Sequence, residues 1–173
     1  DRLLPASVRG ARADVLRRAR LLLGLCSVLV VCALAGIPSL VVQEAWVEVA
    51  VILGAIVVSL SIPALLRITG SLSVAGNVLA AIVYVLCGGM SLAATGAGGD
   101  LWLPYLALMP AIAVVIAGRR SGTVWAAIGL LHVAASFVLL ESGFEPIYRI
   151  PQAQTIPAGY QGAAILIAIF WGL

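Results

Sequence analysis

The sequence has no lysine and few charged residues of any kind. Only 10% of its 173 residues are charged, whereas 63% are hydrophobic, and the mean hydropathy is +1.18. A soluble domain carries about 25% charged residues, so this chain lacks the polar side chains that would cover a water-exposed surface. The composition excludes an ordinary water-soluble domain. The net charge is only +3, and we expect no nucleic-acid partner.

Motifs of catalytic and metal sites are also missing. The sequence contains no GxxxxGK[ST], HExxH or GxSxG pattern and no paired carboxylates inside an apolar segment. Cys26, Cys32 and Cys87 lie in apolar segments without a CxxC or Cys/His pattern, which is typical of buried apolar side chains rather than of disulfides or metal ligands. We expect no cofactor, no resident metal and no catalytic site within these residues.

Long segments without charge make up most of the chain. A helix needs about 20 apolar residues to cross a hydrocarbon core about 30 Å thick. The sequence therefore predicts an all-α, polytopic membrane helix bundle over residues 21–173, preceded by a basic lead-in over residues 1–20. The six predicted transmembrane helices are residues 21–42, 46–66, 72–94, 101–118, 122–141 and 158–173.

The basic lead-in has apolar residues at roughly helical spacing, with arginines largely off that stripe. Two structures fit this pattern. The segment is either an amphipathic helix lying on anionic headgroups or a helical extension of the first span. The chain begins without methionine and ends inside an apolar run, so we expect a fragment of a longer protein.

The charges predict the orientation. Cytoplasmic segments of membrane proteins carry an excess of arginine and lysine. With both termini in the cytoplasm, nine of the ten arginines are cytoplasmic and only Arg149 is outside. The outer side then holds most acidic residues, namely Glu44, Glu48, Asp100, Glu141 and Glu145. We expect a multi-pass protein of the bacterial inner (cytoplasmic) membrane, with Glu48 extending into the headgroups or facing an outward opening.

His132 is the only histidine, and it lies near the middle of the fifth predicted span. A polar ring at that depth needs a partner, and ionisable residues inside membranes are candidate functional sites. Three interpretations are open. The ring is a neutral hydrogen-bonding group between helices, a site that senses a ligand or protons, or a single axial ligand to a haem- or chlorophyll-type metal.

Tyr84 and Pro110 lie at roughly the same predicted depth as His132, and Asn77 lies nearer the cytoplasmic side of the third span. Pro110 is expected to kink the fourth span and to free a backbone carbonyl. We expect His132 to face the bundle and to contact Tyr84 or that carbonyl. The group forms either a polar pocket at mid-membrane or a set of hydrogen bonds between packed helices.

Short motifs between residues 85 and 145 form a further pattern. They are Thr95-Gly96, Leu101-Trp102, Pro110, Gly118-Arg119-Arg120-Ser121-Gly122 as a tight turn, and Trp125. This region resembles the six-span membrane input region of bacterial sensor histidine kinases, and related regions precede diguanylate and class III adenylyl cyclases. In that family the sixth span leads into a dimerising phosphoacceptor module and an ATPase domain. Neither lies within the 173 residues.

The resemblance implies the sensory input domain of a bacterial signalling receptor, a sensor histidine kinase of a two-component system. We then expect a kinase or cyclase domain after Leu173. The alternative is a non-catalytic accessory or scaffold subunit of a larger membrane complex. A small transporter is disfavoured because the sequence shows no inverted repeat or coupling residues. The expected partners are the lipid bilayer and further protein chains, in a homodimer or a larger membrane assembly.

Overall fold

The computed structural model describes residues 13–42, 44–94 and 106–142. In these ranges the regular structure is helical, without strands, as the sequence predicted. A 3₁₀ turn at residues 106–107 leads into the fourth helix. The five helices are α1 (Ala13–Val42), α2 (Trp46–Thr69), α3 (Leu72–Ala94), α4 (Leu108–Ala117) and α5 (Arg119–Glu141).

Four of these helices, α1, α2, α3 and α5, are long and apolar enough to cross a membrane. At 1.5 Å per residue, the 24 residues of α2 measure about 36 Å, which exceeds a hydrocarbon core of about 30 Å. The 10 residues of α4 measure only about 15 Å. Residues 101–105 of the predicted fourth span and the whole predicted sixth span, 158–173, lie outside the described residues.

The first and fifth helices begin earlier than the sequence predicted. Helix α1 is continuous from Ala13, so the second half of the lead-in is a helical extension of the first span. Residues 1–12 lie outside the described part. Helix α5 begins at Arg119, and the predicted five-residue turn is therefore wrong. Gly118 alone reverses the chain, with φ +100°, a conformation that favours glycine.

The link between α2 and α3 also consists of very few residues. Gly70 ends α2 in the left-handed conformation, with φ +62°, and donates its N–H to the Leu66 carbonyl at 2.9 Å. Ser71 follows, and its Oγ accepts the Val74 N–H at 3.3 Å, which caps the start of α3. This compact link makes α2 and α3 antiparallel.

Each helix packs against the next, and α3 and α5 also meet beside α4. The interior is apolar, and its largest fully buried side chains include Leu22, Ile62, Leu66, Leu79, Met109 and Ile116. The start of α3 lies against the end of α4, since a Cβ added at Gly76 would be 2.8 Å from Ile116 Cγ2. Helices α3 and α4 are thus antiparallel, and α3 and α5 are parallel.

This arrangement separates the charges. The described arginines share one end of the bundle, and the described glutamates share the other. We call the first the arginine end, defined by Arg17, Arg18, Arg20, Arg67, Arg119 and Arg120. The opposite end holds Glu44, Glu48 and Glu141. Between the two ends the outward faces carry exposed apolar side chains such as Val57, Leu60, Leu130 and Phe137, as expected of a surface that contacts lipid.

Candidate functional site

Polar side chains line the contact between α3 and α5. On α3, Asn77 and Tyr84 are seven residues apart and so share one helix face. On α5, Ser121, Trp125 and His132 follow one another at spacings of four and seven residues, which also fall on one face. Because the two helices run parallel, these faces meet in register. We call these five residues the polar seam.

The group nearer the arginine end is centred on the Asn77 carboxamide. Its Nδ2 donates to Ser121 Oγ at 3.1 Å and to the Ser73 carbonyl at 2.8 Å. Its Oδ1 accepts the indole N–H of Trp125 at 2.9 Å. The amide thus uses both donor hydrogens and an acceptor position, and it ties the first turns of α5 to α3.

The second group is the pair of Tyr84 and His132. The Tyr84 hydroxyl lies 3.2 Å from His132 Nδ1. The two rings meet edge-on, with centroids 5.6 Å apart and planes at 85°, and Tyr84 also contacts Trp125 with centroids 6.2 Å apart. His132 is only 6% exposed. The contact between the Tyr84 and Trp125 rings joins the Asn77 group and the Tyr84–His132 pair into one connected set.

Gly88 makes room for this pair. A Cβ added there would lie 3.1 Å from Tyr84 Cε2 and 3.3 Å from His132 Cε1. The absence of a side chain at Gly88 lets both rings approach the α3 backbone. The two rings occupy the space that a side chain at residue 88 would need, as in close contacts between membrane helices at small residues.

The seam confirms two expectations and adds two residues. His132 faces the bundle, and Tyr84 is its partner, as predicted. Asn77 is not in contact with His132 but is linked to it through Trp125 and Tyr84. Ser121 and Trp125 were not predicted from the sequence as partners of Asn77. Their shared face with His132 was a usable signal, but only once α3 and α5 were known to run parallel.

Pro110 does not join this site. It is the third residue of α4, in the first turn, where backbone N–H groups have no helical acceptor and proline removes no bond. The predicted kink at the centre of a span over residues 101–118 stays a prediction, because residues 101–105 lie outside the described ranges. Pro110 instead packs against α5, because its carbonyl lies 3.3 Å from a Cβ placed at Gly122.

Glu48 is also placed differently from the expectation that it extends into the headgroups. It lies in the first turn of α2 and is only 9% exposed. Its Oε2 is buried without a hydrogen-bond partner in the structure. A carboxylate in the first turn is stabilised by the partial positive charge of the helix N-terminus, which gives the side chain a structural role.

Two buried serines, Ser59 and Ser136, are unusual in the same way. They are 1% and 5% exposed, and their hydroxyls have no partner. Hydroxyls on exposed faces behave differently, since Ser27 and Thr69 donate to the carbonyl four residues earlier at 3.0 Å and 2.8 Å. The two buried hydroxyls thus remain desolvated and unsatisfied.

The described ranges place no cluster of further metal ligands around His132. No group of three or more His, Cys, Asp or Glu side chains gathers there, and Cys26, Cys32 and Cys87 are free thiols. His132 Nδ1 faces Tyr84. No protein-family model, curated protein or solved structure matches the chain, so the site is interpreted from its own residues.

Proposed function

We propose that this chain is the sensory membrane region of a bacterial signalling receptor, the input to a sensor histidine kinase in the inner membrane. The observation that carries the proposal is the polar seam. It connects a buried tyrosine–histidine pair to the arginine end through Trp125, Asn77 and Ser121. A path of this kind is what a receptor needs in order to convert a change inside the membrane into a change at one surface.

The proposed mechanism is a shift of α5 relative to α3. The hydrogen bond between Tyr84 and His132 exists in only one register of the two helices. A signal that favours the broken contact stabilises a second register. Helix α5 moves as a unit, so the change reaches the contact between Asn77 and Ser121 at the other end of the seam.

The proposal includes the finer topology. We propose six spans with both termini in the cytoplasm, formed by the four long helices, a fourth span that contains α4, and residues 158–173. The separation of arginines from glutamates supports this orientation through the positive-inside rule. A homodimer is the proposed assembly, because a kinase of this type carries its phosphoacceptor on a dimerising module.

The experiment uses the complete gene product in its native membrane. Output, as phosphotransfer or nucleotide cyclisation, is measured for wild type, Tyr84→Phe and His132→Gln. A membrane hydrogen bond contributes about 0.6–1.7 kcal/mol, so its loss should shift a two-state equilibrium by about three- to twentyfold. Ser27→Ala is the matched control, since Ser27 is exposed and bonds only within α1.

The proposal predicts that both seam variants insert normally and that their output is locked or shifted, while Ser27→Ala responds as wild type. Unchanged output in both seam variants would contradict sensing through this pair. A complete gene product without any catalytic domain would contradict the receptor proposal as a whole.

A scaffold subunit is the second candidate, and the packing at Gly88 favours it. The rings of Tyr84 and His132 fill the space beside this glycine, so the contact contains everything a static interface requires. A scaffold predicts that His132→Gln retains most of the stability, because an amide can replace one hydrogen bond. It also predicts that the subunits of the larger complex still assemble around this variant.

A further inference from the structure

The arginine end carries a strong, exposed positive charge. All six of its arginines are exposed, and they come from three helices, α1, α2 and α5. Asp14 is the single acidic residue at this end within the described ranges. Among the described residues no carboxylate pairs with Arg17, Arg18, Arg119 or Arg120. These four guanidinium groups are therefore available to an external anion.

The depth of these arginines identifies the anion. The charge-free run of α1 begins at Leu21, so Arg17 and Arg18 stand about 4.5–6 Å beyond it along the helix. Arg119 and Arg120 precede the apolar part of α5 by even less. The headgroup layer on each side of a bilayer is about 5–8 Å thick. Placing the hydrocarbon core over the charge-free runs of α1 and α5 puts these guanidinium groups at the level of lipid phosphates. A guanidinium can bind a phosphate with two parallel hydrogen bonds.

We propose that the arginine end is a binding surface for anionic phospholipid headgroups of its own membrane. Its two contact pairs are Arg17–Arg18 on α1 and Arg119–Arg120 at the start of α5. This inference does not depend on sensing, because it requires only that the helices cross a membrane. A soluble anion or an acidic protein fits less well, since the helices hold these side chains beside lipid phosphates.

The experiment measures lipid selectivity by electron spin resonance of the full chain in phosphatidylcholine vesicles. Spin-labelled phosphatidylglycerol, which is anionic, is compared with spin-labelled phosphatidylcholine, which is zwitterionic. The fraction of each label immobilised at the protein gives their relative association. This readout does not depend on the direction in which the protein inserts.

Wild type should prefer phosphatidylglycerol, and Arg119→Gln/Arg120→Gln should reduce the preference severalfold, by up to about fivefold for each arginine. Arg119→Lys/Arg120→Lys should retain most of it, because the charge remains. Glu44→Gln/Glu141→Gln, at the opposite end, is the matched control and should not lower it. Inorganic phosphate at constant ionic strength should leave the preference unchanged.

Three results would overturn the proposal. Equal association of the two lipids would assign the arginine end to a soluble anionic partner. A preference that survives both Arg119→Gln/Arg120→Gln and Arg17→Gln/Arg18→Gln would place it elsewhere on the molecule. Displacement of the anionic lipid by inorganic phosphate would show a site for free phosphate rather than a lipid surface.

Discussion

The contact between Tyr84 and His132 joins two polar groups that would each be unfavourable alone in an apolar interior. Their energetic coupling is measurable by a double-mutant cycle of Tyr84→Phe and His132→Leu in mixed detergent micelles. We expect a coupling free energy of about 0.6–1.7 kcal/mol, the range for hydrogen bonds between membrane helices. A coupling indistinguishable from zero would mean that the two side chains are neighbours without a stabilising hydrogen bond.

Ser136 gives the opposite expectation at the same scale. Its hydroxyl is buried and unpartnered, so Ser136→Ala removes a desolvated polar group without breaking a bond. We expect the free energy of unfolding to stay constant or to rise by up to about 1 kcal/mol. Trp125→Phe is the contrasting variant, because it leaves Asn77 Oδ1 without its donor, and we expect it to lower the stability by about 1–2 kcal/mol. If Ser136→Ala instead lowered the free energy of unfolding by more than about 1–2 kcal/mol, the Ser136 hydroxyl would have a polar partner.

The inward orientation of His132 and its contact with Tyr84 could be predicted from the sequence. A lone histidine within an apolar span has to turn inward, and a tyrosine at matching depth is a natural partner for it. The partners of Asn77 could not be predicted in the same way. The sequence does not say which face of α5 meets α3, or that the two helices run parallel beside α4, because those facts depend on packing between residues far apart in the chain.

At the scale of helices, close packing at Gly76 holds α3 against α4. A methyl group at this position would contact Ile116, which is 1% exposed and has little space in which to move. We expect Gly76→Ala to lower the free energy of unfolding by about 1–3 kcal/mol. The matched control is Gly54→Ala on α2, where an added Cβ meets nothing within 4 Å.

The control should be neutral or slightly stabilising, by up to about 1 kcal/mol, because alanine has the higher helix propensity. Equal losses in Gly76→Ala and Gly54→Ala would show that the effect reflects helix formation rather than the α3–α4 contact. If Gly76→Ala left the free energy of unfolding unchanged, α3 and α4 could separate at this point without loss of stability.

Helix boundaries were the least predictable feature of the elements. The sequence predicted a turn that included Arg119 and Arg120. Gly118 alone reverses the chain, and α5 begins at the next residue. Pro110 looks like a helix-kinking residue in a long apolar segment. It lies in the first turn of α4, where proline is tolerated, and residues 101–105 before this turn lie outside the described ranges.

For the whole molecule, composition and charge spacing were the most informative signals. They predicted an all-helical chain with long apolar helices, because a helix across lipid requires about 20 apolar residues whatever the remaining sequence. The helix order then places the described arginines at one end and the described glutamates at the other. That separation supports the orientation that we propose, with the arginine end in the cytoplasm.

The orientation of the bundle underlies the proposed receptor topology, and cysteine labelling in intact cells measures it directly. Starting from a variant in which Cys26, Cys32 and Cys87 are replaced by serine, single cysteines are introduced by Glu44→Cys and Arg120→Cys. Gln152→Cys adds a further position that the proposed topology puts outside. We expect a membrane-impermeant maleimide to label positions 44 and 152 in intact cells and position 120 only after permeabilisation. Labelling of position 120 in intact cells, with positions 44 and 152 protected, would contradict the proposed orientation.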